Sequence, residues 1–423
     1  MNSLTLFLPC ASGVEGFLAD EVHGLTALSG LDLLTLRGGV RVRGDWACML
    51  RLNLHSRLAQ RVLIELVQAP YRDEQDLYRL AGGVAWEDWF TPRQTFKVDV
   101  TAQASGLRSL NFAALRIKDA LADRFRQRAG GVRPSVDTRA PDVRVHAHLT
   151  PERVHLYIDT SGEPLFKRGW RHDKGDAPLK ETLAAAMLAA CGWWQPATRR
   201  VLDVPLYDPC CGSGTIVIEA AQLLLGAPAG GLRRFAFESL RPFDAAGWHA
   251  VKKQAASGAQ TPPKGAATPA VRLFGSDVAH RMVDFAQRNA ERAGVAHAMQ
   301  LRGGDALQRQ PPTPFPGVIV MNPPYGERIA TAGVAGQGRG REAFQSATLS
   351  HPGRSRQNAS GSDTGDEFFA RLATHWKTHY TGWSAWLLTP DAKLPARLRL
   401  KETRRVPLWN GPIECRLLRF DIR

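Results

Sequence analysis

The sequence predicts an α/β protein whose C-terminal half is a parallel sheet covered by helices, and three observations carry that expectation. After Gly162, strand-like and helix-like stretches alternate, the pattern of crossover connections between parallel strands. One of these strands, ending at Tyr207, runs into a glycine-bearing turn, DPCCGSG (208–214), and then into a helix that starts near Thr215. Three later strand ends carry Asp277 (LFGSDV), Asp305 (QLRGGDAL) and Asn322 (GVIVMNPPYG). In an open parallel sheet, ligands bind outside the carboxyl ends of the strands, so these ends face one crevice.

The chain of 423 residues is long enough for two or three domains. Residues 1–44 read as a small mixed unit: a strand (LTLFLPCA), a helix over Val14–Leu25, and alternating segments in LDLLTLRGGVRVRG. Over 45–158 helical ACMLRLNLHSRLAQRV, strand TFKVDVTA, a basic amphipathic helix from Asn111 to Arg128, and strands DVRVHAHL and RVHLYIDT interleave. The third unit is 159–423. Two polar, Gly-, Ser- and Ala-rich stretches within it, 255–270 and 331–365, read as flexible surface insertions. Asn410-Gly411 marks a closing antiparallel hairpin. No internal repeat is present.

The 55 Lys+Arg against 40 Asp+Glu leave +15, a balance that suits a polyanion such as nucleic acid or an anionic membrane surface. MNSLTLFLPC has no basic lead or long apolar run, so a secretory signal is not expected. The apolar stretch Thr182–Trp194 is too short to span a bilayer. The six cysteines form no CxxC pair or Cys/His cluster, which points away from a zinc site and a disulfide framework, and toward a reduced, cytoplasmic setting.

The turn at 208–214 is the strongest local signal. Gly212 and Gly214 let the backbone turn tightly and approach a ligand, and the following helix start offers free N–H groups to an anionic moiety. The turn is neither GxGxxG nor a P-loop. A carboxylate after the second strand, Asp277, can accept both hydroxyls of a ribose, and Asp305 can accept from an adenine amino group. Each aspartate alone is more often a helix cap; the ordered series ending in NPPY is what makes the pattern specific.

DPCCGSG and NPPYG (322–326) resemble the cofactor loop and NPPY motif of class I S-adenosylmethionine-dependent methyltransferases. More closely, the chain resembles the bacterial THUMP-domain guanine-N2 methyltransferases of 23S ribosomal RNA. Residues 107–149 are similar to the THUMP RNA-binding domain, GEPLFKRGWRHDKGDAPLKETLAAAML (162–188) to the family's lead-in to the catalytic domain, LRRFAFESLRPFD (232–244) to an insertion before the second strand, and NGPIECRLLRF (410–420) to its closing hairpin. The resemblance implies a Rossmann-like catalytic domain behind a small ferredoxin-like α+β domain and a THUMP α/β domain. It also implies S-adenosylmethionine as cofactor, held by Asp208, Cys210, Gly212, Gly214, Asp277, Asp305 and Asn322. The insertion at 331–365 departs from the family, and the second methyltransferase half carried by some relatives does not appear in this sequence.

Methyl transfer to an exocyclic amine needs help, because the amine lone pair is delocalised into the ring. The Asn322 side-chain oxygen and the Pro323 carbonyl can accept the amine hydrogens and favour a pyramidal nitrogen, with the two prolines fixing the backbone. Tyr325 supplies a face on which an extruded base stacks. Catalysis is then positioning and charge placement, with no strong base or metal. NPPY alone does not choose between adenine N6 and guanine N2; the guanine expectation comes from whole-chain resemblance.

Arginines are dense between Arg108 and Arg144, and Arg108, Arg116, Arg124 and Arg133 are expected to meet RNA phosphates; a solvated helix face is the ordinary alternative. Phe112 and Phe125 are expected in the core, and Lys167, Arg168, Trp170 and Arg171 extend the possible basic track. The favoured function is guanine-N2 methylation of 23S rRNA. The rivals are N6-adenine methylation of RNA or DNA, and a non-catalytic RNA-binding assembly factor.

Overall fold

The computed structural model describes residues 3–175, 178–258, 272–323 and 362–423. In chain order the first elements are β1 (Leu4–Pro9), α1 (Glu15–Thr26), β2 (Leu33–Leu36), β3 (Gly39–Gly44), α2 (Trp46–His55), β4 (Leu63–Pro70), α3 (Glu74–Gly83), β5 (Phe96–Ala102), α4 (Leu110–Arg128), β6 (Val143–Leu149) and β7 (Arg153–Asp159). There follow α5 (Glu181–Ala190), β8 (Trp194–Gln195), β9 (Arg200–Val201), β10 (Leu206–Asp208), α6 (Thr215–Leu224), α7 (Ala245–Gly258), β11 (Leu273–Asp277), α8 (His280–Arg292), β12 (Met299–Gly303) and β13 (Val318–Met321). The chain closes with α9 (Ser362–His379), β14 (Ser384–Thr389), α10 (Leu394–Leu398), β15 (Glu402–Asn410) and β16 (Ile413–Asp421). Two compact units result, Met1–Gly169 with Pro196–Arg199 and Gly226–Gln260, and Trp170–Gln195 with Arg200–Leu225 and Thr261–Arg423.

The first unit is organised by one seven-stranded sheet, β2-β3-β1-β4-β7-β6-β5, in which only β5 and β6 run parallel. β1 pairs with β3 on one side and β4 on the other, so strands from both sides of residue 44 share the sheet. β6 shows the expected alternation, with Val143, Val145, Ala147 and Leu149 buried and their neighbours half-exposed. Side-chain caps start three helices: Asp45 accepts from the Cys48 N–H at 2.7 Å, Asp73 from Asp76 at 2.8 Å, and Ser109 from Phe112 at 3.2 Å. α4 buries Ala113, Ile117, Leu121 and Phe125. Phe112 departs from expectation: it is 49% exposed, on the outer side of the first turn, while Phe125 is fully buried.

The second unit holds the sheet β12-β11-β10-β13-β14-β16-β15, with β10 to β14 parallel and the last two strands antiparallel. From β10 the chain moves outward through β11 and β12, then returns to the other side of β10 as β13. That reversal makes the carboxyl ends of β10 and β13 a topological switch point, where a crevice opens. The strand residues bury on both faces, as Leu206, Val318, Ile319, Val320 and Met321 do, because helices and connections cover both sides. Tyr207, Ile319, Leu372, Trp376, Tyr380, Leu418 and Phe420 belong to a core cluster on this sheet. All ten residues of α5 are buried. That accounts for the apolar run in the sequence without a membrane, and no helix among the described residues is long and apolar enough to cross one.

Three sequence expectations shift. Ala255–Gly258 continue α7, and Ser362–Gly365 begin α9; the remainder of the two expected insertions lies outside the described residues. The closing hairpin turns at Gly411 and Pro412, one residue beyond Asn410-Gly411, since Asn410 still pairs with Ile413 and Gly411 takes φ of +63°.

Candidate active site

The loop from β10 to α6 is shaped by its glycines. Gly212 and Gly214 have φ of +52° and +89°, a region that residues with a Cβ rarely adopt. At Gly214 a Cβ would also lie 3.0 Å from the Ala286 Cβ on α8, so the helix packing excludes a larger residue.

Carboxylates brace this loop. Asp208 accepts from the Cys210 backbone N–H at 3.1 Å. Asp277, at the end of β11, accepts from Gly212 at 3.0 Å and from Ala279 at 2.9 Å. The Cys211 N–H donates to the Ser276 carbonyl at 2.9 Å, tying loop and strand together. One strand further out, Gly304 donates to the Asp277 carbonyl at 3.0 Å, and the Asp305 carboxylate accepts from the Leu307 N–H at 2.9 Å.

A cavity of about 240 Å³ opens here, lined by Asp208, Cys210, Gly212, Thr215, Met282 and Asn322 among others. Four sequence-expected residues, Asp208, Cys210, Gly212 and Asn322, therefore share one cavity. Gly214, Asp277 and Asp305 are not among its lining residues, and Gly214 and Asp277 shape the loop from behind. The aspartates nevertheless converge: the Cys210 thiol is pushed well above its ordinary range by burial and then by the charges of Asp208, Asp277 and Asp305. Pro323 is buried beside Asn322, and Tyr325 lies outside the described residues.

Sequence reasoning missed Leu179 and Met282, which also line the cavity. It also missed how the segment before α5 is anchored. Arg171 pairs with Glu181 at 2.9 Å and donates to the Leu179 carbonyl at 3.0 Å and to Thr215 Oγ1 at 2.8 Å. Asp173 pairs with Arg288 at 2.9 Å and with Arg292 at 2.5 Å. The cations around the single acid Asp173 in KRGWRHDK were the available signal, but their partners stand up to 119 residues away.

The electrostatics of the crevice are unusual for aspartates. Asp208 is 2% exposed, and its carboxyl is pushed up to about 8, first by burial and then by the charge of Asp277. Burial likewise raises Asp277. Burial raises both carboxyls, so a cationic ligand beside them would favour their charged forms, and Asp277 keeps lone pairs beyond its two backbone bonds. The glycine turn, the helix start and these acids fit S-adenosylmethionine.

A pH dependence follows for the ligand-free protein. Because the folded value for Asp208 lies above the ordinary 3.8, its contribution to stability is fully present below that pH and is lost as pH rises toward about 8. Asp208→Asn, neutral throughout, should flatten the decline of melting temperature across this window; parallel curves for the two proteins would contradict the assignment.

In the first unit the four arginines expected to meet RNA differ in environment. Arg108 and Arg133 are exposed. Arg116 lies 4.5 Å over the Tyr78 ring and donates to Gln75. Arg124 forms a two-pronged pair with Glu87, at 2.6 and 3.1 Å, so its charge is already answered within the unit. The extended basic track is corrected too. Arg168 is 1% exposed and donates to the Leu165 and Arg57 carbonyls at 2.8 Å each, Lys167 pairs with Glu163, and Trp170 is buried.

Residues 5–63 match the RlmL ferredoxin-like domain, residues 71–159 the THUMP domain, and residues 168–337 the RMKL-like methyltransferase domain. The chain is 33% identical over 438 residues to a ribosomal RNA large subunit methyltransferase K/L from Aeromonas salmonicida (strain A449), covering 98% of this chain and 54% of that one. It is 33% identical over 421 residues to the protein of the same name from Psychromonas ingrahamii, covering 99% and 50%. The chain thus spans about half the length of the curated relatives it matches. Among solved structures, SMU.472, described as a methyltransferase and complexed with SAH, superposes with a TM-score of 0.79 at 25% identity, over 100% of this chain and 99% of that one. A protein from Listeria monocytogenes described as an N6-adenine-specific DNA methylase gives the same TM-score and identity over 100% and 97%. In order along the chain, the sequence therefore matches an RlmL ferredoxin-like domain, a THUMP domain and an RMKL-like methyltransferase domain.

Proposed function

We propose that the protein methylates the exocyclic N2 of a guanine in 23S ribosomal RNA, with the target base turned out of its stack into the crevice at Asn322. The observation that carries the reading is the position of Asn322 at the end of β13, lining the same cavity as Asp208 and Gly212 of the glycine loop. A methyl acceptor held at Asn322 is adjacent to whatever occupies that loop.

S-adenosylmethionine supplies an electrophilic methyl group there. The chain's own residues do the positioning. Asp277 accepts ribose hydroxyls through its remaining lone pairs, and Asp305 accepts from the adenine amino group. Asn322 and the Pro323 carbonyl accept the hydrogens of the target amine, and Tyr325 stacks on its ring. Asp208, neutral when the crevice is empty, ionises beside a cationic ligand, so binding releases a proton. The division 1–44, 45–158 and 159–423 assigns the first two segments to RNA capture, with Arg108 and Arg133 the better phosphate contacts and Arg116 and Arg124 serving the unit's own packing. The large-subunit rRNA substrates named for the curated relatives support the RNA reading.

N6-adenine methylation is the second reading, favoured by the description of the Listeria neighbour. Transfer of labelled methyl groups separates the polymers: large-subunit rRNA should accept label from the full chain, and duplex DNA should not. Label in DNA alone would overturn the proposal.

A further inference from the structure

Within the first unit, a cavity of about 440 Å³ is bordered by the last turns of α1, α2 and α7. Its lining includes Arg51, His55, Arg199, Gln254 and Ser257 and, among the described residues, no carboxylate. Arg51 and His55 lie one turn apart on α2 and so share a face. Arg199 comes from the turn Pro196–Arg199 and holds φ of +58°, a left-handed backbone that non-glycine residues seldom adopt without cause. Among the described residues neither guanidinium has an ion-pair partner, although pairing is how the other arginines of this unit, such as Arg61 with Asp159 and Arg124 with Glu87, are satisfied.

We propose that this cavity is a phosphate-binding site in which Arg51 and Arg199 grip the phosphate oxygens and His55 donates a hydrogen bond. Helix ends do not account for the charge. Each C-terminus carries about half a negative charge, felt only within its last turn, so the three leave part of the positive charge on Arg51 and Arg199 unanswered. The field at His55 agrees: burial first, and then Arg199, Arg57 and Arg51, push its imidazole down to about 4. The ring is neutral at pH 7 and can donate from one nitrogen while the other stays unprotonated. An anion seated between the guanidiniums relieves their mutual repulsion. Arg57 donates to the Ala227 carbonyl. Guanidinium groups match phosphate oxygens in pairs, which favours this ligand over a halide or a lone carboxylate.

The phosphate can come from an RNA backbone or from a free phosphate ion, and only the first source rests on the rRNA reading above. Binding of a single-stranded RNA oligonucleotide by the full chain, measured over a range of salt, tests the first. Arg51→Gln with Arg199→Gly should weaken binding and reduce the slope of log affinity against log salt by about 0.7, the value for one lost phosphate contact. Arg51→Lys, which keeps the charge, should retain the slope, and glycine at 199 suits the left-handed backbone, so the fold is preserved. Inorganic phosphate tests the second source: it should move the His55 ring resonances of the native chain but not of the double variant. If RNA binding is unchanged but phosphate moves His55, the site serves a free phosphate. If neither responds, the proposal is overturned. A native chain that binds no RNA at any salt sinks the rRNA reading instead, and leaves the phosphate arm to decide this one.

Discussion

Asn322→Ala is expected to lower the rate of the methyl-transfer step by roughly 10²–10³, the scale for losing one preorganised polar contact to a transition state. The side chain stands at the carboxyl end of β13, flanking the switch point, where strand and buried Pro323 hold its backbone in place. Removing its amide deletes an acceptor for the amine hydrogens and leaves the loop contacts of Asp208 and Asp277 untouched. Cofactor affinity should therefore change little, and single-turnover rates on rRNA should carry the loss. A variant that kept the native single-turnover rate would sink the proposed role of Asn322. Loss of cofactor binding equal to the loss of rate would move the residue from the amine to the cofactor.

Asp277→Ala should act on the cofactor rather than on the target amine. Its carboxylate accepts from Gly212 and Ala279 and is proposed to accept the ribose hydroxyls as well. Truncation leaves the ribose hydroxyls without this acceptor, at about 1–3 kcal/mol for an unsatisfied polar partner. Affinity for the cofactor should fall about 5- to 150-fold by calorimetry. Because Gly212 loses its brace, the melting temperature should fall too, and Asp277→Asn, which keeps an acceptor, should recover part of both. A folded Asp277→Ala protein with native affinity would show that the β11 end does not serve the ligand.

How much of this could be read in advance depends on the range of each interaction. The parallel sheet was legible because its strands are short apolar runs that each end in a polar residue before a turn, and the glycine turn is confined to seven consecutive residues. The grouping of Asp208, Gly212 and Asn322 followed from the rule that strand carboxyl ends share an edge, and the cavity brings these three together. α3 was passed over because EQDLYRLAGG holds few apolar residues, and only Leu77 and Ala81, one turn apart, are its buried apolar positions. Nor was the fate of the arginines. Arg124 meets Glu87 across 37 residues and Arg168 meets Arg57 across 111, and no local pattern distinguishes these from the exposed Arg108. Phe112 sits at the first turn of a helix with apolar residues on several sides, so spacing alone could not say which side faced water. The texture change at residue 44 is real in the sequence, yet β1 bonds to strands on both sides of it, because sheet pairing ignores chain order.

The most direct measurement is the identity of the modified nucleoside. Large-subunit rRNA lacking its own methylations, incubated with the full chain and labelled S-adenosylmethionine, is digested to nucleosides and resolved by mass spectrometry. The account predicts that the label appears as N2-methylguanosine, and that Asn322→Ala reduces it by roughly 10²–10³ at early times. Label in N6-methyladenosine, with none in guanosine, would contradict the guanine assignment while leaving the crevice chemistry standing.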